Sequence, residues 1–177
     1  VLTKRIENMV KNHSIAPQDI LAVTFSKKAK ENIQDKLKEL NVNGVNIETF
    51  HSLALKIIGT RYGVGYFKVW TLQWEKEKIM QTICYDRMNL CSKDDVPYND
   101  ILRFIGKQKN AMLSTTDELI YSDDDPFSKN NMKEIFVSYE KFKEENRYIE
   151  FDDFLNLANE ALDEDENTYN YYSNCFK

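Results

Sequence analysis

A chain of 177 residues, 42% hydrophobic and 30% charged, carries enough apolar material for one ordinary core or two small lobes. No run of roughly twenty apolar residues occurs, so no membrane-spanning helix is predicted. The net charge of −5 excludes a uniformly basic nucleic-acid binder, but the charge is lopsided. Residues 1–113 hold 18 Lys and Arg against 12 Asp and Glu, and residues 114–177 hold 6 against 17. A basic front part thus permits nucleic-acid binding, and the acidic end dominates the total. Cys84, Cys91 and Cys175 are odd in number and not spaced as zinc ligands, which fits free thiols in a reducing cytosol and a cytoplasmic location.

In chain order, Val1 to Lys11 places Val1, Ile6, Met9 and Val10 on one helical face, with Lys4, Arg5, Glu7 and Lys11 outside. The chain opens on this helix without an initiator Met or a signal peptide, which reads as a piece of a longer protein. Asn12 to Asp19 is a loop, and His13 in it reads as a solvated surface residue. Ile20 to Phe25 is a short apolar, β-branched run, as a buried strand requires. A helix follows, with Ala29, Ile33, Leu37 and Leu40 on its apolar stripe. Val45 to Thr49 alternates as a second strand, and Ser52 to Ile58 resumes helical spacing, with Gly59 as the expected C-terminal stop.

Two strands joined by a crossover helix are almost always parallel and right-handed, so Phe25-Ser26-Lys27-Lys28 and Thr49-Phe50-His51-Ser52 are expected at one carboxyl edge of a sheet. That edge offers aromatic rings, the hydroxyls of Thr24, Ser26, Thr49 and Ser52, a lysine pair, an imidazole and two helix starts. Hydroxyls, lysines and helix N-termini suit phosphates, and aromatic rings suit stacking on bases. The combination points to single-stranded nucleic acid. Two plainer readings stand beside it: Phe25 as a core residue packed inward at a strand end, and His51 as a hydrogen-bonding group at a helix start.

At these residues the chain resembles the UvrD/PcrA/Rep-like superfamily-one DNA helicases. Leu21 to Ala29, L-A-V-T-F-S-K-K-A, is similar to motif Ia (T-F-T-N-K-A), and Glu48 to Leu53, E-T-F-H-S-L, is similar to motif Ib (T-F-H-S/G-L). The resemblance implies that Phe25 contributes to a pocket for a DNA base and that Thr24, Ser26, Lys28, Thr49, His51 and Ser52 lie near the DNA backbone. Phe50 matches too but reads as packing. Lys27 departs from the motif's Asn, where a lysine supplies a phosphate contact instead.

Arg61 to Trp70, rich in glycine and aromatics, reads as a loop or short extended connection. Its G-V-G is no phosphate loop, because no Gly-Lys-Ser/Thr follows. Helices are predicted over Leu72–Met88, Tyr98–Leu113 and Met132–Asn146, with Asp123 to Pro126 as a solvated turn lacking the spacing of a calcium loop. Glu150-Phe151-Asp152-Asp153-Phe154-Leu155 opens another helix, whose first-turn acids complement its positive end. The family carries a D-F-D-D-L-like segment here, which implies a second base pocket at Phe151, with Glu150 in place of the usual first Asp. Asp163 to Glu166 reads as a solvated linker, and Tyr169, Tyr171, Tyr172, Cys175 and Phe176 as a final amphipathic segment.

The expected fold class is α/β but predominantly helical: a partial RecA-like parallel sheet of two strands with an inserted all-helical lobe. The resemblance implies residues 1–60 as part of domain 1A, 61–148 as the helical 1B insertion and 149–177 as the return toward 1A. In such a helicase ATP and Mg²⁺ are held by a G-x-x-x-x-G-K-[ST] loop, a pattern that does not occur in these residues, and by the D-E-x-x motif of a further strand, which the resemblance places beyond Lys177. No catalytic and no metal-ligating residue is therefore assigned, and the segment alone is expected to bind neither group tightly. The expected function is the single-stranded-DNA-binding portion of a UvrD-like helicase. Its expected partners are single-stranded DNA, single-strand/duplex junctions and the remaining helicase domains, with no membrane. A helicase-derived scaffold without ATPase activity and part of a helicase-nuclease are the alternatives.

Overall fold

A computed structural model describes residues 1–176. The chain divides into two compact units, one from Val1 to Val64 joined by the segment from Leu157 onward, the other from Gly65 to Asn156.

The first unit begins with helix α1 (Leu2–Asn12) and a 3₁₀ turn at Pro17–Asp19, then strand β1 (Leu21–Thr24), helix α2 (Lys27–Glu39), strand β2 (Asn46–Thr49) and helix α3 (Phe50–Tyr62). β1 and β2 pair in parallel, with Leu21 opposite Asn46 and Thr24 opposite Thr49. The predicted crossover unit is therefore present. Its core takes in most of the expected apolar faces: Ile6, Ile20, Ala22, Leu37, Val42 and Ile47 are buried together, with Met9, Val10, Ile33 and Leu40 packed against them, whereas Val1, expected on the same face as Ile6, is fully exposed. Burial of such side chains stabilises by roughly 1.5–3 kcal/mol each.

Gly59 does not stop α3. The helix runs on to Tyr62 and is capped by Gly63, whose φ of 94° lies in the region that a side chain disfavours. A glycine inside a helix costs only about 1 kcal/mol, so the periodic apolar face, with Ala54, Ile57 and Ile58 buried, carries the helix through it.

The second unit starts with a two-residue strand β3 (Lys68–Val69), followed by helix α4 (Gln73–Gln81), which widens into a π-helical turn at Thr82–Arg87. Helix α5 (Tyr98–Asn110), helix α6 (Lys129–Asn146) and strand β4 (Tyr148–Ile149) complete it. The expected lobe is thus helical except for one short parallel pair, β3 with β4. Two residues give no readable alternation, so this pair was invisible to periodicity. Trp70 holds it. Its backbone N–H donates to Ile149 O at 2.8 Å, its indole N–H donates to Glu75, and its ring stacks on Tyr148 at 5.0 Å. Beneath lies a core of Met80, Ile83, Ile101, Phe104, Met132, Ile135, Phe136 and Tyr139.

α5 ends at Asn110, earlier than predicted, because Ala111 and Met112 close a turn in which Met112 takes a positive φ. α6 starts earlier, at Lys129, because the Ser128 hydroxyl caps it by accepting from Asn131 N. Helix α7 (Asp153–Glu164) leads back to the first unit, and helix α8 (Glu166–Cys175) ends the described chain. The acidic run Asp163–Glu166 is not an open linker. α7 extends through Glu164, and Asp165 is the N-cap of α8, accepting from Thr168 N at 3.0 Å. In the first unit Arg61 holds α7 by donating to Glu160 O and to Glu164. Among the described residues no helix is long and apolar enough to cross a membrane.

Candidate nucleic-acid interface

The parallel register sets Thr24 and Thr49 side by side, so the residues that follow them emerge together. Phe25 and Phe50 meet with ring centroids 5.0 Å apart and planes tilted by 49°. Phe25 is 89% exposed and Phe50 39%. The core-packing alternative for Phe25 therefore fails. Its ring rests on one neighbouring aromatic and offers the rest of its surface outward. A large apolar side chain so placed on a strand edge is costly to leave in water and suits a stacking partner.

Three of the four hydroxyls cap helices. Ser26 is the N-cap of α2, its Oγ accepting from Ala29 N at 3.1 Å. Thr49 and Ser52 form a reciprocal capping box on α3: Thr49 Oγ1 accepts from Ser52 N at 3.1 Å, and Ser52 Oγ accepts from Thr49 N at 2.9 Å. These side chains fix the two helix starts. A cap satisfies only one or two of the four first-turn donors, so each start keeps its positive pole. Lys27 and Lys28, both exposed, stand at the first two positions of α2. Thr24 is half-buried at the end of β1, and His51 is half-buried in the first turn of α3.

Beside these residues lies an open depression of about 330 Å³, lined by Lys27, Lys30, Glu31, Gln34, Thr49 and Ser52. Its organising group is one that sequence reasoning passed over. Glu48, buried in β2, accepts from Lys30 Nζ of α2 at 2.8 Å and from Ser52 Oγ of α3 at 2.6 Å, and it also pairs with Lys56 of α3. One carboxylate thus ties both helices to the strand between them. The only signal in the sequence was an acid in a strand, next to a cap residue.

Burial alone would raise the Glu48 carboxyl, but the hydrogen bonds from Lys30, Lys56 and Ser52 outweigh it and hold it at about 2. Its folded-state pKa is depressed, so its contribution to stability is present above the ordinary carboxylate range and is lost as pH falls toward 2. Between pH 5 and pH 3 the protein is expected to lose on the order of 1–2 kcal/mol through this one group. Urea unfolding of wild type and Glu48→Gln at both pH values checks this: the variant should lose less on acidification, and equal losses would remove Glu48 from the account.

Phe151 belongs to the second unit. It is 62% exposed, in the turn between β4 and α7, with its ring 5.4 Å from that of buried Phe154. Asp152 beside it is exposed, but Asp153 is buried. The helix-pole role expected for the two acids describes only part of what Asp153 does. It sits in the first turn of α7, and its carboxylate also accepts from Lys109 Nζ and Lys143 Nζ, both at 2.6 Å. Nothing in the local spacing announces those partners, which stand 44 and 10 residues away.

Comparison with known proteins agrees with these features. The family described as the UvrD/REP helicase N-terminal domain matches residues 1–177. A probable DNA helicase II homolog of Rickettsia conorii is 28% identical over 183 residues, covering all of this chain and 28% of its own length. The ATP-dependent DNA helicase PcrA of Leuconostoc citreum is 30% identical over 166 residues, covering 89% of this chain and 22% of its own length. The chain thus spans about a quarter of the length of these curated relatives. With a crossover unit carrying T-F-S-K-K-A and T-F-H-S-L at one sheet edge, and a match over the whole chain, this protein belongs to the UvrD/REP helicase N-terminal domain family.

Proposed function

We propose that this chain is the part of an ATP-dependent UvrD-like DNA helicase that holds single-stranded DNA. Residues 1–60 correspond to a piece of domain 1A, 61–148 to the 1B insertion and 149–177 to the return toward 1A, so the second unit holds the insertion together with the start of the return segment, Phe151 included. The observation that carries this is the outward-facing Phe25, seated on Phe50 at the end of two parallel strands and flanked by two capped helix starts and by Lys27 and Lys28. Phe25 stacks on a base, as Phe151 does in the second unit. Lys28, the helix starts carrying Ser26, Thr49 and Ser52, and Thr24 and His51 beside them line the path of the backbone. The partners are single-stranded DNA, single-strand/duplex junctions and the remaining helicase domains.

The ATP and Mg²⁺ of such helicases do not fit the groups found in these residues. Among the described residues no cluster of three or more His, Cys, Asp or Glu side chains is placed to hold a metal ion. The depression beside α2 has no glycine-rich backbone cradle, and its Lys30 is committed to Glu48. On this reading these residues by themselves are expected to hydrolyse no ATP, and unwinding is assigned to the whole helicase.

The test is fluorescence anisotropy of a labelled oligothymidylate titrated with the chain at several KCl concentrations. Binding is expected to weaken with salt, with a log–log slope of about −0.7 per phosphate contacted. Lys28→Ala should reduce that slope by about 0.7 without unfolding the protein. No binding to the oligonucleotide at low salt, with salt-sensitive capture of a basic protein partner instead, would hand the function to the scaffold alternative.

A further inference from the structure

The second unit gathers three lysines and three acids in one place, with Lys109, Lys143 and Asp153 buried and Lys76, Glu140 and Glu150 half-buried. Lys109 and Lys143 are only 5% and 3% exposed. Lys109 Nζ lies 2.7 Å from Glu140 and 2.6 Å from Asp153, and Lys143 Nζ lies 2.6 Å from Asp153 and 3.4 Å from Glu150. Lys76 Nζ reaches Glu150 at 2.6 Å, and Tyr139 Oη donates to the same carboxylate at 3.1 Å. The six charges balance, and every buried side-chain polar atom among the described residues has a partner. Burial works against each ion. For Glu150 and Asp153 the facing lysines outweigh it and keep both carboxyls below their usual range, and for Lys109 the facing Glu140 and Asp153 keep the ammonium protonated.

A cluster of this kind is a poor source of stability, since desolvating six charges consumes most of what their attraction returns. Its placement is more telling. Glu150 and Asp153 point inward at the two ends of a four-residue turn, and the residues between them, Phe151 and Asp152, are exposed. The turn is closed by Asp153 N donating to Glu150 O at 3.0 Å and by Glu150 N donating to Asp153 Oδ2 at 2.6 Å. Helix α5 abuts it: a Cβ at Gly106 would lie 3.3 Å from Asp152 Oδ2, and Asn156 Nδ2 donates to Lys109 O at 3.0 Å.

We propose that this buried cluster is a positioning device for Phe151, clamping both ends of its turn to the ends of α5 and α6 so that the ring is presented to a DNA base at fixed orientation. The proposal rests on the assignment of Phe151 to a base contact. Glu140, Lys109 and Lys143 touch no DNA. They act through the turn, and the return is a ring that loses little freedom when a base stacks on it.

A double-mutant cycle tests this on the intact chain, with a labelled oligothymidylate as the probe. The variants are Phe151→Ala, the charge-balanced pair Glu140→Gln with Lys143→Met, and the combination of all three. Phe151→Ala is expected to weaken binding roughly 5- to 150-fold, the range of one stacked base, and the pair to weaken it nearly as much. The triple variant should then bind within about twofold of Phe151→Ala, because the pair has no ring left to position. Wild-type affinity in the pair, or a triple variant weakened by the product of the two separate losses, overturns the positioning role and leaves the base contact standing. No effect of Phe151→Ala overturns the base contact itself, and the proposal with it. If the pair loses its helical circular dichroism, Lys76→Met, which removes an ion-pair partner of Glu150 and an ammonium over the Trp70 ring, enters the same cycle with the same outcomes.

Discussion

Phe25→Ala is expected to weaken binding of an oligothymidylate by roughly 5- to 150-fold, the effect of losing one base–aromatic stack, and to leave the fold almost unchanged. Both halves follow from the same fact. A ring that is 89% exposed contributes little to the core, and its contact with Phe50 is worth about 0.5–1.5 kcal/mol. Phe25→Tyr keeps the face and should bind within a few-fold of wild type. Anisotropy titrations, paired with thermal melts of the same samples, separate the two quantities. A Phe25→Ala protein that binds as wild type does would remove the strand edge from the DNA path. One whose lost affinity is matched by a large drop in Tm would make Phe25 a packing residue.

The second large effect concerns stability. Asp153→Asn is nearly isosteric and can still accept the backbone N–H of Glu150, so it removes a charge and little else. That charge is the shared partner of Lys109 and Lys143 at 2.6 Å each. Deleting one member of a buried ion cluster strands its partners and costs about 3–5 kcal/mol. For a chain of this size the drop in Tm is roughly 6–20 °C. Asp152→Asn, one residue away and exposed, should stay within about 0.5 kcal/mol of wild type. Calorimetry of the two variants side by side decides the matter, and equal melting temperatures would show that the cluster is not energetically coupled to the fold. The balanced pair Glu140→Gln with Lys143→Met should melt between them, because it leaves no net charge behind.

These predictions differ in how far the sequence leads to them. The strand edge was legible because its signals are local. A β-branched run of four to six residues, a 3.6-residue apolar stripe and cap residues at each helix start all act over one or two turns of chain, and the parallel handedness of the crossover follows from backbone chirality. The sequence therefore places Thr24, Phe25, Ser26, Thr49 and Ser52 at one edge. What their side chains do there was less legible. The hydroxyls of Ser26, Thr49 and Ser52 suit phosphate by their type, and in the structure they also cap helices, a use equally written in Ser/Thr at a helix start.

The amino-acid sequence by itself determined the crossover unit, the apolar faces of α1, α2 and α3, the family, and the pairing of two aromatic residues at adjacent strand ends, because each depends on periodicity or on a short motif. Only the tertiary structure decided that Phe25 faces outward, that α3 runs through Gly59 to Gly63, that β3 finds β4, and that Glu48, Lys109, Lys143 and Asp153 are buried and paired. The physical reason is range. Burial of a charge becomes tolerable only when an opposite charge arrives from elsewhere in the chain, and the partners of Asp153 come from two other helices. No window of sequence around Asp153 contains Lys109, so nothing local distinguishes a solvated first-turn acid from the centre of a buried ion cluster.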